Sequence, residues 1–471
     1  MHITGKTYLL LFFLLFLRNS LISACTILSG IDKSGHVLVA NTEDHRPSMN
    51  IYFKVRKGTD STYGFFGTVY NSPDGWLQGG SNEKGLFFDA NELGKVPMRK
   101  SAGTKPYTFP VDPGSYVLQH CKTVADVIDF FNTYQLELPG QVHVADKDGH
   151  FAIINNDTIL TNSSFQLTTN FHPLHHEIGV YPCWRYTAVS DCIHKKGITK
   201  VSFEEAMFAS MQYGNTMTIY SNTGDLCTGD WTYWAYGYKE TPFRFNIHEL
   251  LKAGDKTILL RDLFPDHPYF KYYKAGGNST DDNLSLWQKE NKQYSTVDKY
   301  RIPKALIWNY LFWETNYTEA KKWLARWSVN MKSPGSDDLF TTALVQLVNG
   351  EENPALQNFK ACLQIDPTSE AANYYIDFIN KKYDTDGRLQ LKLDGFHSAH
   401  IVTVAGISTN PNFYLMHRTA SGWEINIKTE PGYIPYYFLV DGKKVLDPKN
   451  NTRQQIPSVA GLVEMNLAKL E

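Results

Sequence analysis

The sequence predicts an α+β chain in three textures: a layered, strand-rich first part, a helical middle and a small all-strand end. Three observations carry this prediction. Over residues 25–282, apolar and polar residues alternate at the strand period more often than they recur at helical spacing. Over residues 284–382 the period moves to near 3.6, and the composition turns rich in Trp, Leu and Ala. From about Leu389 short strand-like runs return, with turn residues at intervals of roughly ten. A chain of 471 residues exceeds what one hydrophobic core usually supports. The expected units are 1–24, 25–282, 283–386 and 387–471.

Residues 1–24 begin with a weakly basic stretch (His2, Lys6), followed by an apolar run over residues 8–17. Arg18-Asn19-Ser20 and then Leu21-Ile22-Ser23-Ala24 complete the segment. That is the order of a secretory signal, with small residues ahead of a cut after Ala24. The apolar run is too short to cross a bilayer, which needs roughly 20 residues. No later run comes close, so the expectation is an exported chain, periplasmic or extracellular, with no integral membrane segment. Ile22-Ser23-Ala24-Cys25 also reads as a bacterial lipobox, which would make the chain a membrane-anchored lipoprotein. The polar Arg18-Asn19-Ser20 stretch argues against that, because a lipobox usually sits directly behind the apolar run.

A formal net charge of −2 carries no nucleic-acid or anionic-membrane footprint. Six cysteines in so long a chain do not make a disulfide-stapled scaffold. With Cys25 set aside, the odd number left (Cys121, Cys183, Cys192, Cys227, Cys362) fits one thiol reserved for chemistry.

Residues 123–134 place Val124, Val127, Ile128 and Phe131 on one helical face. Gln141-Val142-His143-Val144-Ala145 and His150-Phe151-Ala152-Ile153-Ile154 flank Lys147-Asp148-Gly149 as a hairpin. Ser202-Phe203-Glu204-Glu205 has capping-box spacing ahead of the apolar run at 206–211. In the middle, Ala355 and Phe359 followed by Ile365-Asp366-Pro367 resemble one tetratricopeptide-type helix pair. At the end, Ile401-Val402-Thr403-Val404-Ala405-Gly406, Gly422-Trp423-Glu424-Ile425-Asn426-Ile427 and residues 431–442 mark a small β-sandwich.

A cysteine at a chain's N-terminus offers a thiol nucleophile and a free α-amine as its base. Their ordinary pKa values, about 8.5 and 7.7–8.0, lie close enough for balanced proton transfer. Six phrases then follow Cys25-Thr26 in order. They are Val39-Ala40-Asn41-Thr42-Glu43-Asp44, Ser81-Asn82-Glu83-Lys84-Gly85-Leu86, Asn91, the 144–149 hairpin, Thr168-Thr169-Asn170-Phe171 and Trp184-Arg185-Tyr186. Over residues 25–254 this pattern resembles the choloylglycine hydrolase and penicillin V acylase family of N-terminal nucleophile (Ntn) hydrolases. It also resembles their isopenicillin-N acyltransferase-like relatives.

The resemblance implies a four-layer αββα domain and cleavage of a linear amide carbon–nitrogen bond through a Cys25 thioester. It implies Asp44 beside the nucleophile, Asn91 and Asn170 as oxyanion donors, and Arg185 as a fixed positive charge near the thiolate. One oxyanion donor is typically worth ~2.7–4 kcal/mol. The partner implied is a small N-acyl amide substrate. Asn41 is a departure, since bile-salt-type members carry an arginine there that organises the pocket. This moves the chain toward the acyltransferase-like branch, in which an amine acceptor replaces water. Asn155 and Asn156 stand where a glutamate often closes the second hairpin strand.

His172, His175 and His176 cluster ahead of Cys183 and Cys192, but their spacing matches no closed zinc pattern. His175 and His176 are read as rimming the substrate cleft, with Asn41 in the same pocket, or as facing solvent. No phosphate-cradling loop or His-Glu-x-x-His is present, so no cofactor is expected. The last unit resembles the early-set sandwich of glycogen-binding modules through Tyr436-Tyr437-Phe438-Leu439-Val440-Asp441-Gly442 and Asp447-Pro448. Tyr437 replaces the usual lysine, and Asn412 and Phe413 stand where tryptophan would, which favours packing or partner docking over glucan binding. The competing class is a surface lipoprotein with Cys25 acylated, whose helical and sandwich parts do the binding.

Overall fold

The computed structural model describes residues 25–45, 50–70, 72–93, 96, 103, 105–138, 140–179, 181–212, 217–273, 280–312, 314, 316–329, 331, 333–380, 389–407, 414–427, 429, 432–458 and 461–470. The signal-like segment, Asn412 and Phe413 lie outside them. Among the described residues, no helix is long and apolar enough to cross a membrane.

The first part is a mixed α/β unit. Its strands are β1 (Thr26–Ile31), β2 (Val37–His45), β3 (Ile51–Arg56), β4 (Phe65–Tyr70), β5 (Leu77–Asn82) and β6 (Leu86–Glu92). A short parallel pair follows, β7 (Lys105–Pro106) and β8 (Tyr134–Gln135). Then come β9 (Gly140–Asp146), β10 (Phe151–Ile154), β11 (Ile159–Asn162), β12 (Phe165–Thr168), β13 (Met217–Asp225), β14 (Asp230–Ala235), β15 (Phe243–Asn246) and β16 (Lys256–Leu259). They form a six-stranded sheet, β12-β1-β2-β13-β14-β15, and an eight-stranded sheet, β11-β10-β9-β6-β5-β4-β3-β16.

Strand alternation sorts side chains between layers. Ile27, Val39, Ile219 and Trp231 from the first sheet meet Phe53, Phe66, Phe87 and Phe151 from the second in one core. Phe66 packs edge-on against Trp231 at a centroid distance of 4.9 Å, a pairing worth about 0.5–1.5 kcal/mol beyond area burial. The opposite face of the first sheet (Leu28, Leu38, Ala40, Leu167) is covered by Val189 and Ile193 of α3 (Trp184–Lys196) and by Phe203, Ala206 and Met207 of α4 (Lys200–Ala209). The opposite face of the second sheet is covered by α1 (Pro113–His120) and α2 (Val124–Thr133) through Val117, Leu118, Val127 and Phe131.

The local expectations for α2 and the hairpin at β9 and β10 match these elements. Thr123 caps α2 in a reciprocal box with Asp126, and Gly149 takes the left-handed φ of +86° that the tight turn needs. The cap of α4 differs from the one expected at Ser202. Thr199 is the N-cap, and Ser202 is its partner three residues on, donated to by the Thr199 N–H at 2.9 Å. The helix therefore starts earlier than the apolar run alone indicates.

Beyond the sheets the chain is helical, from Thr280–Glu290 through Thr296–Phe312, Tyr317–Ser328, Ser336–Val348 and Glu352–Ile365 to Glu370–Ile379. Trp287, Trp323 and Trp327 are fully buried in this part and belong to the same apolar cluster as the space between the two sheets. Tyr236, after β14, stacks on Tyr269 at 4.2 Å and begins that continuity. The last strands form two antiparallel groups. Leu391 and Leu393 of Leu389–Asp394 and Ile425 of Gly422–Ile427 share a core with Val404 of Val402–Ala405 and Phe438 of Gly432–Val440.

Candidate active site

Cys25 stands immediately before β1, buried at 5% exposure. Thr26 pairs with Thr42 across the β1–β2 ladder, which sets Cys25 alongside the end of β2. β2 is hydrogen-bonded on both edges, to β1 and β13, and covered on both faces, so all nine of its residues are buried. Val39 belongs to the core between the sheets, and Ala40 to the core under α3 and α4. Continuing the alternation, Asn41 and Glu43 face the other sheet, while Asp44 faces the helices.

On the helix side, Arg185 in the first turn of α3 is 2% exposed and reaches inward. Its Nη1 donates to the Cys25 carbonyl oxygen at 2.8 Å and to Thr26 Oγ1 at 3.1 Å. Its Nη2 donates to Asn170 Oδ1 at 3.1 Å, and the guanidinium lies 3.6 Å from Asp44 Oδ2. Asn91 Nδ2 donates to the same Cys25 carbonyl at 3.1 Å, and Asn170 Nδ2 donates to Glu92 O at 2.9 Å. Asp44 also accepts from Gln212 Nε2 at 2.7 Å and from the Thr218 hydroxyl. Burial raises the Asp44 carboxyl to about 6, opposed first by the Arg185 charge and then by those hydrogen bonds. Asp44, Asn91, Asn170 and Arg185, drawn from four separate stretches of sequence, therefore meet at Cys25.

On the other side of β2, the Cys25 thiol donates to Glu43 Oε1 at 3.2 Å. The Tyr70 hydroxyl donates to that same oxygen. Glu43 Oε2 accepts from Asn41 Nδ2 at 3.3 Å and from the Tyr220 hydroxyl at 3.4 Å. Asn41 accepts in turn from Asn222 Nδ2 at 3.3 Å. Burial pushes the Glu43 carboxyl up to about 8, with hydrogen bonds from Cys25 and Asn41 opposing it and the Asp44 charge adding to it. Burial also pushes the Cys25 thiol well above its ordinary value, reinforced by the Glu43 and Asp44 charges and opposed by the Asp44 backbone N–H. Asp89 is a third buried carboxyl, raised by burial and by the Glu43 charge.

His175 and His176 stand apart from this cluster. His175 is half exposed and lies 3.4 Å from Glu177. His176 stacks on Tyr181 at 4.1 Å and helps line a cavity of about 230 Å³ with Phe171, Tyr186, Thr169 and Gln141. Gln141 pairs with Asn91 across the β6–β9 ladder, so the cavity begins one strand from the Cys25 carbonyl clamp. His172 is buried against Asp157 at 2.9 Å and serves the loop, donated to by Leu174 N and His175 N. Among the described residues, no group of three His, Cys, Asp or Glu side chains could hold a metal ion.

Glu43, Tyr70, Tyr220, Gln212 and Thr218 were not singled out by sequence reading. A signal for Glu43 was present. A strand that opens Val37-Leu38-Val39-Ala40 and continues through Asn41-Thr42-Glu43-Asp44 without Gly or Pro carries its polar half into the same buried layer. Buried carboxylates seldom lack a purpose or a partner.

Two antiparallel sheets with a buried cysteine at the end of an inner strand define the class of site. No family model matches the sequence, and no curated protein matches it. The structure is similar to a mutant of the conjugated bile acid hydrolase from Clostridium perfringens, with a TM-score of 0.39 and 15% identity, covering 50% of this chain and 96% of that one. A variant of the same enzyme gives 0.39 and 16%, with the same coverage. The penicillin V acylase from Agrobacterium tumefaciens gives 0.36 and 13%, covering 50% of this chain and 90% of that one.

Proposed function

We propose that this chain is an exported Ntn amidohydrolase that cleaves a linear, non-peptide amide through a Cys25 thioester. The supporting observation is the convergence of Asp44, Asn91, Asn170 and Arg185 on Cys25, with Arg185 Nη1 2.8 Å and Asn91 Nδ2 3.1 Å from its carbonyl oxygen. Removal of residues 1–24 would leave Cys25 with a free α-amine. Arg185 and Asn91 fix the main chain of Cys25, so that Sγ is aimed by β1 and not by a mobile terminus. An amide nitrogen carries two N–H donors. The one on Asn91 not given to Cys25 is the candidate for the developing oxyanion. Asp44 holds the Arg185 guanidinium and, through its backbone N–H, the sulfur.

The aromatic cavity beside Gln141 and His176 would take the acyl or amine portion of the substrate. Where bile-salt-type members have an arginine, Asn41 bonds Glu43 and Asn222, so among the described residues this side offers an anionic substrate group no cation. Substrates with a neutral amine portion therefore fit best, and an amine acceptor in place of water is the acyltransferase alternative. The helical part is read as tetratricopeptide-like and the last strands as an early-set sandwich, a docking surface for a protein or glycan partner.

The test is intact mass and N-terminal sequencing of the exported protein, with a fluorogenic panel of N-acyl amides. The expected result is an unmodified Cys25 terminus and amidase activity lost in Cys25→Ala. A diacylglycerol-modified Cys25, or activity that survives that substitution, would overturn the reading.

A further inference from the structure

The α-amine is not the only base within reach of Cys25. Glu43 Oε1 lies 3.2 Å from Sγ, both groups are buried, and the carboxylate is oriented by the Tyr70 and Tyr220 hydroxyls and the Asn41 amide. A buried carboxylate tied at both oxygens and in contact with the nucleophile is positioned for proton transfer, not for packing. We propose that Glu43 is a catalytic residue, accepting the Cys25 thiol proton as Sγ attacks the amide carbonyl and delivering a proton to the departing amine. This rests on the thioester mechanism above.

In the first half, the S–H bond breaks and Glu43 O–H forms. Sγ bonds to the carbonyl carbon, and the carbonyl electron pair moves onto oxygen. Collapse restores C=O, breaks C–N, and places the Glu43 proton on the amine nitrogen. In the second half, Glu43 takes a proton from water, hydroxide adds to the thioester, and the C–S bond breaks. The thiolate recovers the proton, so the sum is amide plus water giving acid plus amine.

The groups facing Glu43 suit this role. Cys25 meets it from the start of β1, Asp44 from its own strand, Tyr70 from β4, Asp89 from β6, Tyr220 from β13 and Tyr233 from β14. Among the described residues its hydrogen-bond partners are the thiol, two phenols and an amide, with no cationic side chain to hold it permanently ionised. Burial raises the carboxyl to about 8, so that it is a stronger base than an exposed glutamate when it meets the thiol.

The test compares the mature chain with Glu43→Gln and Glu43→Asp, measuring single-turnover acylation by a chromogenic N-acyl anilide from pH 5 to 10. In parallel, the rate of Cys25 alkylation by iodoacetamide is read from the mass of the Cys25 peptide. Glu43→Gln should slow acylation about 100-fold at pH 7 and remove the limb that rises toward pH 8, with partial recovery in Glu43→Asp. Alkylation of Cys25 at pH 7 should fall at least tenfold.

A purely electrostatic neighbour predicts the reverse, since deleting a negative charge beside a thiol makes it more acidic and faster to alkylate. Acylation within threefold of wild type, or alkylation that is unchanged or faster, would overturn the proposal. If the wild-type chain acylates with no amide in the panel, the amidase reading fails, and the alkylation comparison alone still decides the role of Glu43.

Discussion

Glu43 and Asp44 are adjacent carboxylates on one buried strand, yet they occupy opposite chemical worlds. Asp44 faces the helices and meets a guanidinium, an amide and a hydroxyl. Glu43 faces the second sheet and meets a thiol, two phenols and an amide, with Asp89 near enough to repel it. Burial is complete for both, so the difference lies in the partners. One carboxyl is held near 6 and the other near 8. Strand alternation alone thus gives two neighbouring carboxyls different partners and different proton affinities.

The largest effect should come from breaking the charged side. Arg185→Met leaves Asp44 buried without its cation and the Cys25 carbonyl without its closest donor. Removing one partner of a buried pair costs about 3–5 kcal/mol. Urea unfolding at pH 7 measures it, and a loss below about 1 kcal/mol would show that Asp44 does not depend on the guanidinium.

The next effect separates the two carboxylates by pH. Folded Glu43 holds its proton to about 8, against an ordinary value of 4.5. Its contribution to stability is therefore complete below pH 4.5 and is lost as pH rises through 8. Asp44 follows the same sign in a lower window, from 3.8 to about 6. Linkage turns these windows into a decline of a few kcal/mol across pH 4 to 8. Glu43→Gln should flatten the portion between 6 and 8 and lessen the slope between 4.5 and 6, where the Asp44 share remains. A decline above pH 6 that persists in that variant would assign it elsewhere.

Two smaller substitutions sharpen the contrast. Tyr70→Phe removes a donor from the Glu43 carboxylate, should cost about 1–2 kcal/mol, and should move the upper window to higher pH. Thr218→Val removes a donor from Asp44, should cost about 1 kcal/mol, and should raise only the lower window. Each is read from the midpoint of the stability–pH curve. A shift in the wrong window would mean that the two faces of β2 are not electrostatically separate.

The helix-side half of the site was legible in sequence because each member sits in a short phrase of distinctive chemistry. Asp44 ends the phrase Val39-Ala40-Asn41-Thr42-Glu43-Asp44, Asn170 follows two threonines, and Arg185 lies between two aromatics. The sheet-side half was not. Tyr70, Tyr220 and Asp89 come from three strands, and nothing local to any of them predicts a carboxylate partner. Tyr220 reaches Glu43 through the pairing of β2 with β13, and Tyr70 and Asp89 reach it from β4 and β6 of the facing sheet. The same division holds for the fold. The 141–154 hairpin and the apolar helix face at Val124, Val127 and Phe131 are local and were readable, as was the change to helices. The sharing of one apolar core between sheets and helices depends on tertiary contacts that no window of sequence contains.

That shared core has a consequence for anyone dissecting the chain. Tyr236 and Tyr269 stack face to face, and Tyr272 meets Trp287 and Trp323 edge-on or tilted. Aromatic contacts therefore continue from the two-sheet unit into the helices. A shortened protein ending near residue 273 would present those rings to water as an adhesive patch and would be prone to aggregate. The helices cover the flank of the two-sheet unit, and the practical unit for expression is the chain with that flank closed.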